Sequence, residues 1–244
     1  MSLASMKSKA KPLIQKSPFH GFPTETLDFL FDLALNNNRE WFTQNKFRYE
    51  QFIVAPALDF IAAVGERMPK LSVHILCIPK RVGGSLFRIY RDVRFAHDKR
   101  PYKTNIGIHF RHTQARNAHA PGYYMHIGVD ECFFGGGMWR PDTTALHRIR
   151  TRIVEKPEEW KKLLHGRNFS RDFKLGGEKL KRPPRGFPSE HEHVEYLKQK
   201  SFIGIANFEH GLILDPDIVE RALKMYKTAE PLMRFLCNSQ DLQY

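Results

Sequence analysis

Acidic residues are scarce in this chain: 26 Asp and Glu stand against 39 Lys and Arg over 244 residues, a formal net charge of +13. Cysteine is scarcer still. Cys77, Cys132 and Cys237 are odd in number and far apart, which excludes a disulfide scaffold and the short spacings that metal sites and redox pairs need. A reducing compartment is expected. No stretch approaches the roughly 18 to 20 consecutive apolar residues of a membrane span, and the N-terminus has no apolar signal core. The expectation is a cytoplasmic protein without a membrane partner. Also missing are a G-x-S-x-G nucleophile turn, a paired Cys/His signature, a dinucleotide fingerprint and a Lys-Ser or Lys-Thr after a glycine run. Ser85 follows Gly83 and Gly84, but no base can be assigned to it. No cofactor is indicated.

Apolar side chains are plentiful. Hydrophobic residues make up 41% and Phe alone occurs 19 times, so a chain of this length can bury a core without staples. Residues 1–20 read as a flexible basic tail, its first residues carried over from cloning, and 21–244 as one α+β domain. Helical spacing of Leu27, Leu30, Phe31 and Ala34 predicts a first helix that Thr24 can cap. A second runs from Arg39 until Pro56 interrupts it, and a third covers Ala57 to Met68. The period then changes to two, and strands are expected at Leu86–Arg91, Thr104–His112, Tyr123–Gly128, Cys132–Met138 and Phe202–Phe208. Strands in succession with few helices between them argue for an antiparallel sheet of about five strands, flanked by N-terminal and C-terminal helices. Helices return near 142–155, 157–165 and 190–200, with residues 166–188 read as irregular. Asp215 as N-cap and Pro216 as first residue predict a final helix that Pro231 should kink.

The positive charge is local. Residues 80–111 hold nine Lys or Arg against Asp92 and Asp98, and residues 165–185 hold seven against Asp172 and Glu178. Such a field favours anionic partners. Its densest part, FRIYRDVRFAHDKRPYKT from Phe87 to Thr104, supplies guanidiniums for bidentate oxyanion binding, lysines as point charges and a tyrosine hydroxyl. The candidate ligand-binding residues are therefore Arg88, Arg91, Arg94, Lys99, Tyr102 and Lys103. The opposing reading is an Arg–Asp ion-pair network that fixes a loop, with Asp92 paired to an arginine of the motif.

The spacing Arg88, Arg91-Asp92, Arg94-Phe95, Lys99, Pro101-Tyr102 resembles the signature of a conserved hypothetical family, a domain of unknown function found in bacteria and in parts of longer fungal proteins. NNNREWF at 36–42, PGYYMHI at 121–127 and GGGMW at 135–139 also look like segments of that family, so the resemblance covers roughly Phe22 to Phe208. It carries no activity or cofactor over to these residues.

Three glycines at the end of a strand cost backbone entropy with no packing in return, so something must approach that backbone closely. Either a ligand lies against Gly136 and Trp139, or the chain packs tightly there. Among the histidines, His109 and His112 fall on opposite faces of one strand, His119 is in a loop, and His191 and His193 do not converge, so no metal site is expected. His126, beside Tyr124 in sequence and across the sheet from His109, is the better candidate for acid–base chemistry. His126, His109 and Asp92 are the catalytic candidates, with no reaction assigned. The preferred function is binding of an anionic small molecule carrying phosphate, sulfate or carboxylate, by a protein that is an enzyme or a simple binder. The alternatives are a nucleic-acid-binding module with stacking aromatics, and an interaction scaffold whose ion pairs are structural.

Overall fold

A computed structural model describes residues 19–114 and 120–244. Most of the expected tail, up to residue 18, and His119 lie outside the described residues. Phe19, assigned to the tail by the sequence, packs edge-on against Phe22 at 5.3 Å and against Phe60 at 5.7 Å.

The helical third comes first. Helices α1 (Thr24–Leu35), α2 (Arg39–Gln44), α3 (Lys46–Tyr49) and α4 (Ala55–Arg67) follow one another, with a π-helical stretch at Glu50–Val54 where Pro56 interrupts the regular ladder. Thr24 does not cap α1; Pro23 holds that position, and Thr26 instead ties α1 to the π stretch through a 2.7 Å bond to the Phe52 carbonyl. Asn38 does cap α2, accepting from the Trp41 N–H at 3.0 Å.

The sheet is antiparallel throughout. Strands β1 (Ile75–Leu76), β2 (Asn105–His112), β3 (Gly122–Gly128), β4 (Cys132–Met138), β5 (Lys174–Gly176) and β6 (Phe202–Phe208) lie in the order β1-β2-β3-β4-β6-β5. Between β4 and β5 come α5 (Thr143–Glu155), α6 (Pro157–Leu164) and α7 (Arg167–Asp172). Helix α8 (Val194–Leu197) precedes β6, and α9 (Ile218–Ser239) closes the chain.

The alternation expected in the strands divides the sheet into two unlike faces. One carries Ile106, Ile108, Phe110, Met125, Ile127 and Phe134, each at most 2% exposed, and packs on the helices. Tyr123 lies 4.7 Å from Tyr226 of α9, and Trp160 of α6 lies 4.8 Å from Phe235 of the same helix. Fully burying one such side chain stabilises the fold by about 1.5–3 kcal/mol. The other face carries Gly107, His109, Tyr124, His126, Phe133, Gly135, Ile203 and Ile205 by register.

The structure corrects several local expectations. Leu86–Arg91 is not a regular strand: it touches β2 through the Leu86–Ile108 bridge and then turns to bond its own return arm at Tyr90–Tyr102. Strands β1 and β5 span two and three residues, too few for a period to register. Helix α7 lies in the stretch read as irregular, anchored by Phe169 against Phe173. Asp215 does not cap α9; it accepts from the Asp217 N–H at 2.8 Å and pairs with Arg221, and the turn it closes delays the helix to Ile218.

Gly136 belongs to the helical face. A Cβ built there would lie 3.1 Å from the Ala229 Cβ of α9. Gly136→Val should therefore push α9 off β4 and lower stability by about 1–3 kcal/mol, read as a reduced midpoint in denaturant titration. An unchanged midpoint would show that the helix yields without cost.

Candidate functional site

The charged motif folds as an arm that runs out along the edge of β2 and returns into it. The Phe87 N–H donates to the Gly107 carbonyl at 2.9 Å, the Arg91 N–H to Pro101 at 2.9 Å and the Lys103 N–H to Ile89 at 2.8 Å. Its base is held by the first helices. Asn37 clasps Tyr102 from both sides, donating to its carbonyl at 3.0 Å and accepting from its N–H at 3.1 Å, while Phe42 stacks on the Tyr102 ring at 4.1 Å. Segments 36–42 and 88–103 are thus two parts of one buttress, and Tyr102 is buried within it.

Most of the cations in the arm are occupied. Asp92 receives Arg94 through both carboxylate oxygens, at 2.9 and 2.7 Å, with both side chains more than half exposed. The hydrogen bonds from Arg94 bring the Asp92 carboxyl down to about 2. Asp98 takes Arg100 and Arg91, and their hydrogen bonds, that of Arg100 first, hold its carboxyl well below the ordinary range. Lys99 folds back onto the Val93 carbonyl at 3.0 Å. The expected pairing of Asp92 is present, but in solvent, where an ion pair contributes little. Arg91, Arg94 and Lys99 thus each have partners within the arm.

Arg88 and Lys103 differ. Lys103 donates to the Arg88 carbonyl at 3.0 Å and lies 5.5 Å from the centre of the Phe87 ring. Neither has a carboxylate within ion-pair distance among the described residues, although the charge of Arg88 adds, after that of Arg94, to holding down the Asp92 carboxyl.

Phe87 leads to the second feature, a cleft of about 700 Å³ on the helix-free face of the sheet. His109, Tyr124, His126 and Phe133 form one wall, Ile203 and Ile205 the other, Trp139 stands at one end, and Gly122, Gly135 and Gly137 lie beneath. The rings lie flat because glycines allow it: a Cβ at Gly107 would meet the Tyr124 hydroxyl at 2.5 Å, and one at Gly122 would meet His109 Nε2 at 2.5 Å. His126 stacks on Phe133 at 4.8 Å, within 4° of parallel, and its Nδ1 lies 3.4 Å from the Tyr124 hydroxyl. Burial lowers both imidazoles to about 4 and raises the Tyr124 hydroxyl to about 12. At neutral pH the cleft therefore offers two uncharged imidazoles and a neutral phenol, each able to give or take a hydrogen bond.

Of the sequence candidates, His109, His126 and Trp139 meet in the cleft, with Gly136 contributing backbone at its floor while its α-carbon faces α9. Lys103 lies beside the Phe87 ring, 5.5 Å from its centre, and neither it nor Arg88 lines the cleft itself. Asp92 bonds Arg94 and accompanies neither imidazole. Phe87, Tyr124, Phe133, Gly135, Ile203 and Ile205 were missed as site residues. The signal for Tyr124 was available, because period two puts it on the face of His126 and the antiparallel register sets it opposite His109. Among the described residues no three of His, Cys, Asp and Glu cluster as ion ligands, and no helix is long and apolar enough to cross a membrane.

A family model described as a conserved hypothetical protein, DUF2461, matches residues 25–235, and the chain belongs to that family. The matched span includes the arm, all six strands and the cleft lining. A search of the curated proteins gives no match.

The two imidazoles make the fold sensitive to mild acid. Their folded values, about 4, lie below the roughly 6.5 of an unfolded histidine, so below that pH the unfolded chain takes up protons that the folded chain refuses. Stability complete above pH 6.5 should be lost as pH falls toward 4, by up to about 3 kcal/mol per imidazole. The Asp92 and Asp98 pairs weaken only at lower pH. Melting temperature followed from pH 7 to 4.5 should fall, and His109→Gln with His126→Gln should flatten that limb. An equally steep fall in the double variant would assign the acid sensitivity elsewhere.

Proposed function

We propose that the protein binds a small organic molecule in the cleft on the open face of the sheet. Gly135 is the observation that carries this reading. Its neighbours have structural reasons to be glycine: Gly136 for the approach of Ala229, and Gly137 for a φ of +139° with the Phe202 carbonyl 2.0 Å from a built Cβ. Gly135 has neither. Its Cβ would find nothing nearer than 3.5 Å, an ordinary contact with Tyr124. A glycine inside a strand costs about 0.5–1 kcal/mol relative to alanine, and a β-branched residue would suit the position better. Keeping it small keeps the floor of the cleft open. The shape agrees: a concave, largely apolar pocket with a few convergent polar groups suits a metabolite-sized ligand.

The nucleic-acid alternative has less support. Of the rings that reading calls on, Tyr123 is fully buried and Tyr124 lies in the cleft wall, while Tyr90 and Trp139 are exposed but stand apart, one on the arm and one at the end of the cleft, so the four do not form the continuous stacking platform that single strands require. The scaffold alternative accounts for Arg91, Arg94 and Arg100, whose carboxylate partners lie within the arm. It does not account for Gly135.

The test separates binding from folding. N-phenylnaphthylamine, an uncharged dye that brightens in apolar pockets, should bind the native protein. Gly135→Val, whose methyls would project into the cleft, should weaken that binding at least about tenfold while leaving stability unchanged or raising it by up to about 1 kcal/mol. Equal dye affinity in a folded Gly135→Val protein would overturn the assignment, as would the absence of binding by the native chain.

A further inference from the structure

Resting on that pocket, we infer that its ligand is an organic anion, with an apolar body over the glycine floor and an oxyanion group held by Lys103 and Arg88 at the Phe87 rim. The inference comes from elimination within the motif and from position. Six cations lie between Arg88 and Lys103. Arg91 and Arg100 share Asp98, Arg94 holds Asp92, and Lys99 is wrapped onto backbone carbonyls. These four serve the arm itself. The remaining two sit together where the arm enters and leaves the edge of β2.

Position then ties the pair to the cleft. Phe87 is part of the cleft wall, and the Lys103 ammonium lies 5.5 Å from the centre of its ring. Lys103 uses one N–H on the Arg88 carbonyl at 3.0 Å, which leaves two donors. Burial, and secondarily the charge of Arg88, lower the Lys103 pKa, so the two cations repel and the lysine, unlike the exposed Arg88, is partly desolvated. An oxyanion would relieve the repulsion and gain charge-assisted hydrogen bonds from both groups. Glu131 borders the cleft on the β4 side and Glu178, paired with Arg140 and Lys200, at the far end. Glu131 disfavours an anionic head on its side, and at the far end Arg140 and Lys200 are already engaged by Glu178, so the acid group is directed to the β2 edge, with the body lying across the strands toward Ile205.

Two dyes of the same shape test this whatever the natural ligand is. Anilinonaphthalene sulfonate is the uncharged dye with a sulfonate added. The native protein should bind the sulfonate form roughly tenfold more tightly, and phosphate should displace it better than chloride at matched ionic strength. The double variant Arg88→Gln with Lys103→Gln should lose that preference and keep its affinity for the neutral dye, while Lys174→Gln, an exposed lysine on the opposite edge, should change neither. A double variant that binds both dyes as the native chain does, or that loses both equally, overturns the anion assignment, as does a native chain with no sulfonate preference. Failure of the pocket itself would appear separately, as neutral-dye binding that Gly135→Val does not disturb.

Discussion

Among the described residues helices cover the sheet on one face only, and what the sheet does with the other face organises this molecule. On β2, β3 and β4 the core-facing positions are mostly Ile, Phe, Met and Tyr, and they meet α4 and α9. The opposite positions could not be equally large and apolar without leaving a wide greasy surface in water. They hold instead His109, Tyr124, His126 and Phe133, amphipathic or aromatic rings, interleaved with glycines on neighbouring strands. His109, Tyr124 and His126 each lie over a missing side chain, and His126 stacks on Phe133. The face covers itself on the β2 side and stays hollow above Gly135. The cleft is the part of this arrangement that the protein's own side chains do not fill.

The arm answers a different problem, that of a dense cationic segment beside a sheet edge. Two aspartates cannot neutralise six cations, and the structure distributes the task. Asp98 serves two arginines, Asp92 one, and backbone carbonyls serve both lysines. What fixes the arm is uncharged: Asn37 on the Tyr102 backbone and Phe42 on its ring. The surface pairs would not hold such a segment alone, since exposed ion pairs contribute about 0–1 kcal/mol each. The buried clasp does, and it also sets where β2 begins, which places Lys103 and His109 relative to Phe87. Two segments far apart in the chain, 36–42 and 88–103, thus form a single mechanical unit.

How much of this the sequence disclosed follows from the length over which each signal repeats. Strands β2, β3, β4 and β6 carry seven or eight residues of alternation and were legible almost to their ends. Strands β1 and β5, with two and three residues, exist only because a longer neighbour offers them an edge. Leu86–Arg91 alternates like a strand, yet its partner changes partway from β2 to the returning arm, and no local pattern records that change. The Asp-Pro start of α9 misled because Asp215 satisfies an earlier turn. At the candidate site, charge marked out the arm but could not divide it: which arginines meet an aspartate depends on the arm's path, so Arg91 and Arg94 read the same as Arg88. The histidines were legible as strand residues, while the cleft between them required the register.

The three successive glycines show what separates a structural residue from one kept for another purpose. All were equally conspicuous in the sequence, and the same entropy argument applied to each. In the fold they divide by direction. Gly137 takes a backbone conformation that L side chains rarely adopt, Gly136 gives way to a helix, and Gly135 alone of the three would meet only ordinary contacts if it carried the side chain it lacks. A sequence that specifies its structure well is consistent at every level, and departures from local optimality without packing in return tend to mark function. Gly135 is such a departure, and it shares the cleft with two imidazoles and a phenol whose burial disfavours their charged forms. Separate penalties in one place, neither needed for the core, are more simply explained by a shared occupant than by coincident strain.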